Sequence, residues 1–268
     1  MITISIVGLG VVGKAMYEVL NEILDENEVK IKVFDVDETK NFQNLKLENL
    51  LDSLVIFLCL PTPNDCDISI LEETCKKLSE LNFENLCVIK STVPPNTTNK
   101  LYEKYKLQLI HNPEFLSAKT AKEDFRKQKN IIIGTNINVH IKHALFLGNF
   151  YEQCFPESKV VMVDCKTSEC MKLFCNNFYA VKIQFFTELY LLCEKIGVDF
   201  ELIRCLMISN EWINPQHTQV PGTDGQISYG GMCFPKDTKA LLKYMKENDT
   251  LCGIIESSVK ERESLRND

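Results

Sequence analysis

The twelve cysteines of this 268-residue chain include no CxxC pair, which removes the spacing of a structural zinc site and of a thioredoxin-type redox motif. Long apolar runs are also missing. The longest, 54–60, is far too short to cross a bilayer. No basic stripe interrupts a net charge of −7, so neither nucleic acid nor an anionic membrane surface is an expected partner. Met1 passes at once into a strand-like segment with no charged n-region or cleavage site, and a protein that is not exported is expected. His140 and His143 stand three apart without a third ligand, so no metal is expected. Repeats and low-complexity tracts are absent. What remains is an ordinary globular balance, 45% apolar and 25% charged, in a length that fits one large or two modest domains. Several cysteines fall inside apolar patterns, as core thiols do, and the set fits a reducing cytoplasm.

The first half alternates short apolar runs with amphipathic stretches. Strands are predicted at 2–7, 30–35, 54–60, 86–90, 130–134 and 160–163, and helices at 11–24, 70–81, 97–105 and 139–151. The 54–60 run is apolar throughout, as a central parallel strand covered on both faces should be. Such alternation predicts an α/β fold, a Rossmann-like doubly wound parallel sheet over 1–164. From 165 to 268 a small helical domain is expected, opening on one long helix over 169–195 that Gly197 stops. Its apolar residues are too many for one face, so it reads as a spine between domains or subunits. Helices follow at 200–207 and 236–246, separated by a Pro/Gly-rich loop at 214–231, and the tail after 257 reads as charged and solvated.

Two motifs carry chemistry. Gly8-Leu9-Gly10-Val11-Val12-Gly13 follows a strand and opens a helix, the arrangement in which backbone N–H groups and a helix N-terminus receive a pyrophosphate. Asp35 ends the next strand, where a carboxylate can hold both ribose hydroxyls of NAD and would repel the phosphate of NADP. Tyr229-Gly230-Gly231-Met232-Cys233-Phe234-Pro235-Lys236-Asp237 sets a cysteine between a glycine pair and two charges. Positive charge favours thiolate, and a carboxylate can order a water for attack on whatever the sulfur has captured. This pattern points to covalent catalysis at Cys233.

Five segments occur in a fixed order: the GLGVVG loop, Ser91-Thr92-Val93-Pro94, Asn112-Pro113-Glu114-Phe115-Leu116, the pair Lys172 and Asn176, and GGMCFPKD. Together they resemble the UDP-glucose 6-dehydrogenase family, over nearly the whole chain. The resemblance implies an NAD-dependent double oxidation of a nucleotide sugar at C6, with UDP-glucose as substrate and Cys233 as the nucleophile. By that likeness Lys172 would stabilise developing negative charge and Asn176 would donate a hydrogen bond. Asp237 would hold or activate water, with Thr92 assisting, and Glu114 would contribute to hydrolysis. Lys40, Thr62, Pro63, Ser91 and Lys236 would line the NAD site. Phe115, Leu116, Tyr229, Gly230 and Gly231 would meet the sugar nucleotide. A homodimer through the long helix is expected. Plainer roles are a snorkelling Lys172, a core amide at Asn176, a helix cap at Asp237 and a pairing of Glu114 with Arg126.

The chain also departs from the family pattern. Ala118 stands where a second glutamate is usual, and the arginine that usually precedes the glycine loop is not evident in 210–215. Family members continue into a second nucleotide-binding domain, whereas this chain reaches Asp268 shortly after its cysteine motif, so a compact form lacking the UDP-binding domain is expected. Competing expectations are a 6-dehydrogenase of UDP-N-acetylhexosamine or GDP-mannose, a two-electron hydroxyacid dehydrogenase needing no thiol, and a non-catalytic binding subunit.

Overall fold

The computed structural model describes residues 1–266 and has a mixed α/β fold. Seven strands form one sheet: β1 (Ile2–Val7), β2 (Val29–Phe34), β3 (Val55–Leu58), β4 (Leu86–Ile89), β5 (Gln108–His111), β6 (Asn130–Thr135) and β7 (Lys159–Asp164), in the order β2-β1-β3-β4-β5-β6-β7. The first five are mutually parallel. Every residue of β3 and β4 is wholly buried, because helices cover both faces. The alternation is visible within one strand. Val55 and Phe57 join a core with α1 (Val11–Ile23) and α5 (Ile141–Cys154), while Ile56 and Leu58 join the opposite core with α2 (Ser69–Glu80) and α3 (Thr97–Tyr105).

The sheet is not parallel throughout, as the sequence had suggested. Between β5 and β6 the chain makes the 112–116 turn and the short helix α4 (Ala121–Arg126), then turns back on the same edge. β6 therefore runs antiparallel to β5, in register at His111 and Gly134. Both β5 and α4 are absent from the sequence prediction. β5 offers few apolar residues, and α4 buries only Phe125.

The long helix, α6, spans Cys165–Ile196. It starts four residues earlier than predicted, and Gly197 ends it at φ +71°. The chain divides into two compact units: Met1–Pro63 with Asp67–Lys172, and Asn64–Cys66 with the chain from Leu173 onward. The division therefore falls at Lys172, inside α6. The second unit holds the rest of α6, then α7 (Phe200–Ile208), α8 (Phe234–Glu247) and α9 (Gly253–Leu265). The predicted solvated tail is thus a helix with Ser258, Val259 and Arg262 buried on one face. Arg262 Nε reaches the Tyr229 carbonyl at 3.3 Å, so a charged residue serves as a core donor there. Along α6, Phe174, Phe178 and Phe185 are at least half exposed within the chain. No helix among the described residues is long and apolar enough to cross a membrane.

Candidate active site

In the first unit the glycine loop sits at the C-terminal ends of β1 and β3, where the strand order reverses. This is the switch point at which open α/β sheets bind ligands. Gly8 has φ +92°, and a Cβ there would stand 2.5 Å from the Cys59 carbonyl oxygen. A Cβ on Gly13 would overlap the Gly8 carbonyl, so this glycine is required for α1 to lie on the strand. Gly10 is different: nothing lies within 4 Å of its would-be Cβ. The first turn of α1 carries no acid and no side-chain cap, which leaves its N–H groups available to an anion. Asp35 accepts the Leu9 N–H at 2.6 Å and the Asp37 N–H at 2.9 Å, fixing its carboxylate beside the loop. These features fit a dinucleotide. Asp37, by contrast, bonds Thr39 and Lys40, which hold its carboxyl down at about 2. Lys40 is correspondingly paired with Asp37 at 2.9 Å.

Hydroxyls tie together the loops beyond β3 and β4. Thr62 Oγ1 donates to the Thr92 carbonyl (2.9 Å) and Ser91 Oγ to the Leu60 carbonyl (2.6 Å). Pro63 beside them is exposed, and Thr92 is half-buried.

The Asn112–Leu116 segment rests on a polar anchor that the sequence reading missed. Lys90 Nζ donates to Asn112 Oδ1 at 2.7 Å, Tyr151 OH donates to the same oxygen at 2.6 Å, and Asn112 Nδ2 donates to the Ile132 carbonyl at 2.7 Å. Burial pulls the Lys90 ammonium down to about 8. The turn that follows directs Glu114 Oε2 to the Leu116 N–H (2.5 Å) and Oε1 toward Lys172 Nζ (3.5 Å). Lys172 is buried and lies over the Phe115 ring, 5.0 Å from its centroid. It is not a snorkelling surface lysine, and Glu114 does not pair with Arg126, which bonds Glu22 of α1 instead. Leu116 is half-buried against the core and Phe115 is 41% exposed.

In the second unit Cys233 is exposed and occupies the N-cap of α8, with Pro235 in the first turn. A helix N-terminus favours a thiolate. Asp237, one turn on, is wholly buried. Its Oδ2 accepts Asn176 Nδ2 at 2.6 Å, and its Oδ1 accepts Lys236 Nζ at 2.6 Å and Cys66 Sγ at 3.1 Å. Asp237 is thus no simple helix cap, since its side chain bonds three others. Burial works against the Lys236 ammonium, but the negative charge of Asp237 foremost, with its hydrogen bond and a smaller contribution from Cys233, holds it above its ordinary value. Lys236, expected along the NAD site, is engaged here. Asn177 Nδ2 bonds the Asp237 carbonyl at 3.0 Å, seating the first turn of α8 on α6.

The loop before Cys233 divides by role. Tyr229, expected at the substrate, is a core residue: it is 1% exposed and its hydroxyl points to Thr238 Oγ1 and the Ser258 carbonyl, both at 3.4 Å. Gly230 abuts the Arg266 guanidinium so closely that a Cβ would overlap it, whereas Gly231, at φ +77°, has open space around it. Among the described residues no group of three His, Cys, Asp or Glu side chains is placed to hold a metal ion.

Comparison with known proteins gives concordant matches. Residues 41–154 match the NAD binding domain, and residues 166–262 the central domain, of the UDP-glucose/GDP-mannose dehydrogenase family. The UDP-glucose 6-dehydrogenase of Rickettsia bellii is 31% identical over 98% of the chain and 68% of its own length. The enzyme of that name from Rickettsia felis is also 31% identical, over 91% of the chain and 52% of its own length. The chain therefore spans between half and about two thirds of these relatives. A UDP-glucose dehydrogenase structure from Pyrobaculum islandicum superposes with a TM-score of 0.84 at 22% identity, covering 98% of this chain and 68% of the other, which is a likeness of fold.

Proposed function

Since the chain belongs to the UDP-glucose/GDP-mannose dehydrogenase family, we propose that it oxidises the C6 hydroxyl of UDP-glucose twice, to UDP-glucuronate, through a covalent adduct on Cys233. The observation that carries this reading is the exposed Cys233 at the N-terminus of α8, one turn from a buried carboxylate bonded to Lys236, Asn176 and Cys66. NAD, when bound at the glycine loop, accepts one hydride in each oxidation. In the first, the C6 hydroxyl loses its proton to a water ordered by Asp237 as its carbon gives up hydride, and the Lys172 ammonium offsets negative charge on that oxygen while Asn176 donates to it. The Cys233 thiolate then adds to the aldehyde carbon, forming a thiohemiacetal whose oxygen takes up the proton. Loss of that proton and of a second hydride leaves a thioester. Water ordered by Glu114 and Asp237, with the Thr92 hydroxyl assisting, attacks the thioester carbon and expels the Cys233 thiolate. Asp237 meets three donors, so its first task is to keep Lys236 and Asn176 in place.

The half-exposed phenylalanines of α6 support a homodimer through that helix. The free thiols of all twelve cysteines support a reducing cytoplasm. The test is to count NADH formed per UDP-glucose consumed, beside Cys233→Ser. Two per sugar, lost in the variant, is expected. One per sugar with C233S still active would overturn the covalent route. NAD binding without turnover on UDP-glucose, UDP-N-acetylhexosamines and GDP-mannose would mark a binding subunit.

A further inference from the structure

We propose that Cys66 is a positioning residue for Cys233, holding the Asp237–Lys236 couple that sets the charge around the reactive thiol. The inference rests on the reading of Cys233 as the nucleophile. Cys66 lies far from the cysteine motif in sequence, yet the three residues Asn64–Cys66 belong to the second compact unit. There Cys66 is 2% exposed and packs with Leu173, Ala240 and Leu241. Its sulfur is 3.1 Å from Asp237 Oδ1 and 3.5 Å from Lys236 Nζ. The backbone that delivers it is unusual. Asn64, Asp65 and Cys66 have φ of +35°, +47° and +59°, three successive non-glycine residues in the left-handed region. Asn and Asp tolerate that region; a cysteine does so at a cost. Strain of this kind persists only where surrounding contacts over-determine it, and the polar contacts of Cys66 here are with Asp237 and Lys236.

Burial, reinforced by the Asp237 charge, pushes the Cys66 thiol well above its ordinary range, so it remains S–H and donates to the carboxylate. Without that donor Asp237 carries less compensated negative charge and draws more fully on Lys236, whose ammonium senses the charge of Cys233. The Cys233 thiolate is then less favoured.

The experiment is site-resolved iodoacetamide labelling of the intact protein at neutral pH, without cofactor or sugar, read by mass spectrometry. Exposed Cys205 serves as the reference in the same tube. Cys66→Gly is the principal variant, because glycine takes the left-handed conformation freely and removes the thiol without straining the turn. Cys66→Ala controls for side-chain size, and Cys66→Ser restores a donor. Expected is a Cys233:Cys205 labelling ratio about threefold lower in C66G and C66A, the scale of one lost hydrogen bond, with recovery in C66S and a melting temperature in C66G no lower than in C66A. A parent ratio above one that is unchanged in C66G and C66A would overturn the role of Cys66 and leave the nucleophile standing. A parent in which Cys233 labels no faster than Cys205 would overturn both. Absence of sugar turnover with the labelling pattern intact would count only against the proposed reaction.

Discussion

Replacing Asp237 by asparagine removes one charge from a site with no solvent to compensate it. The carboxylate is 0% exposed, and Lys236, its partner at 2.6 Å, has a side chain only 17% exposed. The new amide has a single oxygen. If that oxygen keeps Lys236 and Cys66, its NH2 faces Asn176, and rotation of the Asn176 amide can repair that contact. Nothing repairs the charge on Lys236. Breaking a buried ion pair from one side costs about 3–5 kcal/mol, and the preserved shape and the Asn176 rotation place D237N at the low end, about 3 kcal/mol. At roughly 2–4 °C per kcal/mol for a structure of this size, melting should fall by about 6–12 °C. Lys236→Met combined with D237N removes both charges and should recover most of that loss. Calorimetry gives the melting temperatures, and hydrogen exchange at the α8 amides localises the effect to the second unit. A fall under about 2 °C in D237N, or a double variant no more stable than the single one, would refute the buried-pair account.

Other consequences are as direct. Gly10→Ala should leave folding intact, since the position has open space and φ −68°, yet weaken NAD binding by more than about tenfold by obstructing the pyrophosphate; Gly13→Ala should also destabilise the first unit, and calorimetric titration with thermal melts separates the two. Glu169 is buried and accepts from the Asn96 N–H, the Thr98 N–H and the Thr98 hydroxyl at the start of α3; burial raises it from 4.5 to about 7 despite these donors. The native state therefore holds a proton that the unfolded chain has lost, and stability declines as pH rises from about 4.5 to 7. Glu169→Gln should flatten that slope in urea titrations. Lys90 gives the opposite sign. Its native value of about 8 lies below 10.5, so the unfolded chain binds the extra proton and stability rises between those values. Lys90→Met should abolish that rise, and an unchanged slope would show the ammonium to be solvated.

The elements that the sequence revealed are those set by local spacing. β1 and α3 fall where apolar periodicity puts them, and most other elements lie within a few residues, because period and caps are properties of neighbouring residues. The glycine loop is legible for the same reason: its three glycines answer to steric demands within one strand–turn–helix. The charged α9 and the six-residue α4 were not, because the faces they bury exist only once the rest of the chain has folded.

The sequence by itself determined an α/β chain with a dinucleotide loop, a cysteine in a charged turn, and Lys172 and Asn176 four residues apart on one helix. Tertiary structure alone decided the company those groups keep. It turned Lys236 toward Asp237, brought Cys66 to that carboxylate across 171 residues, buried Tyr229, and set Lys90 under Asn112. Contacts at such separations leave no periodicity behind, since loop closure is nearly indifferent to the intervening residues. They are selected by the burial of polar groups that must find partners wherever the fold supplies them.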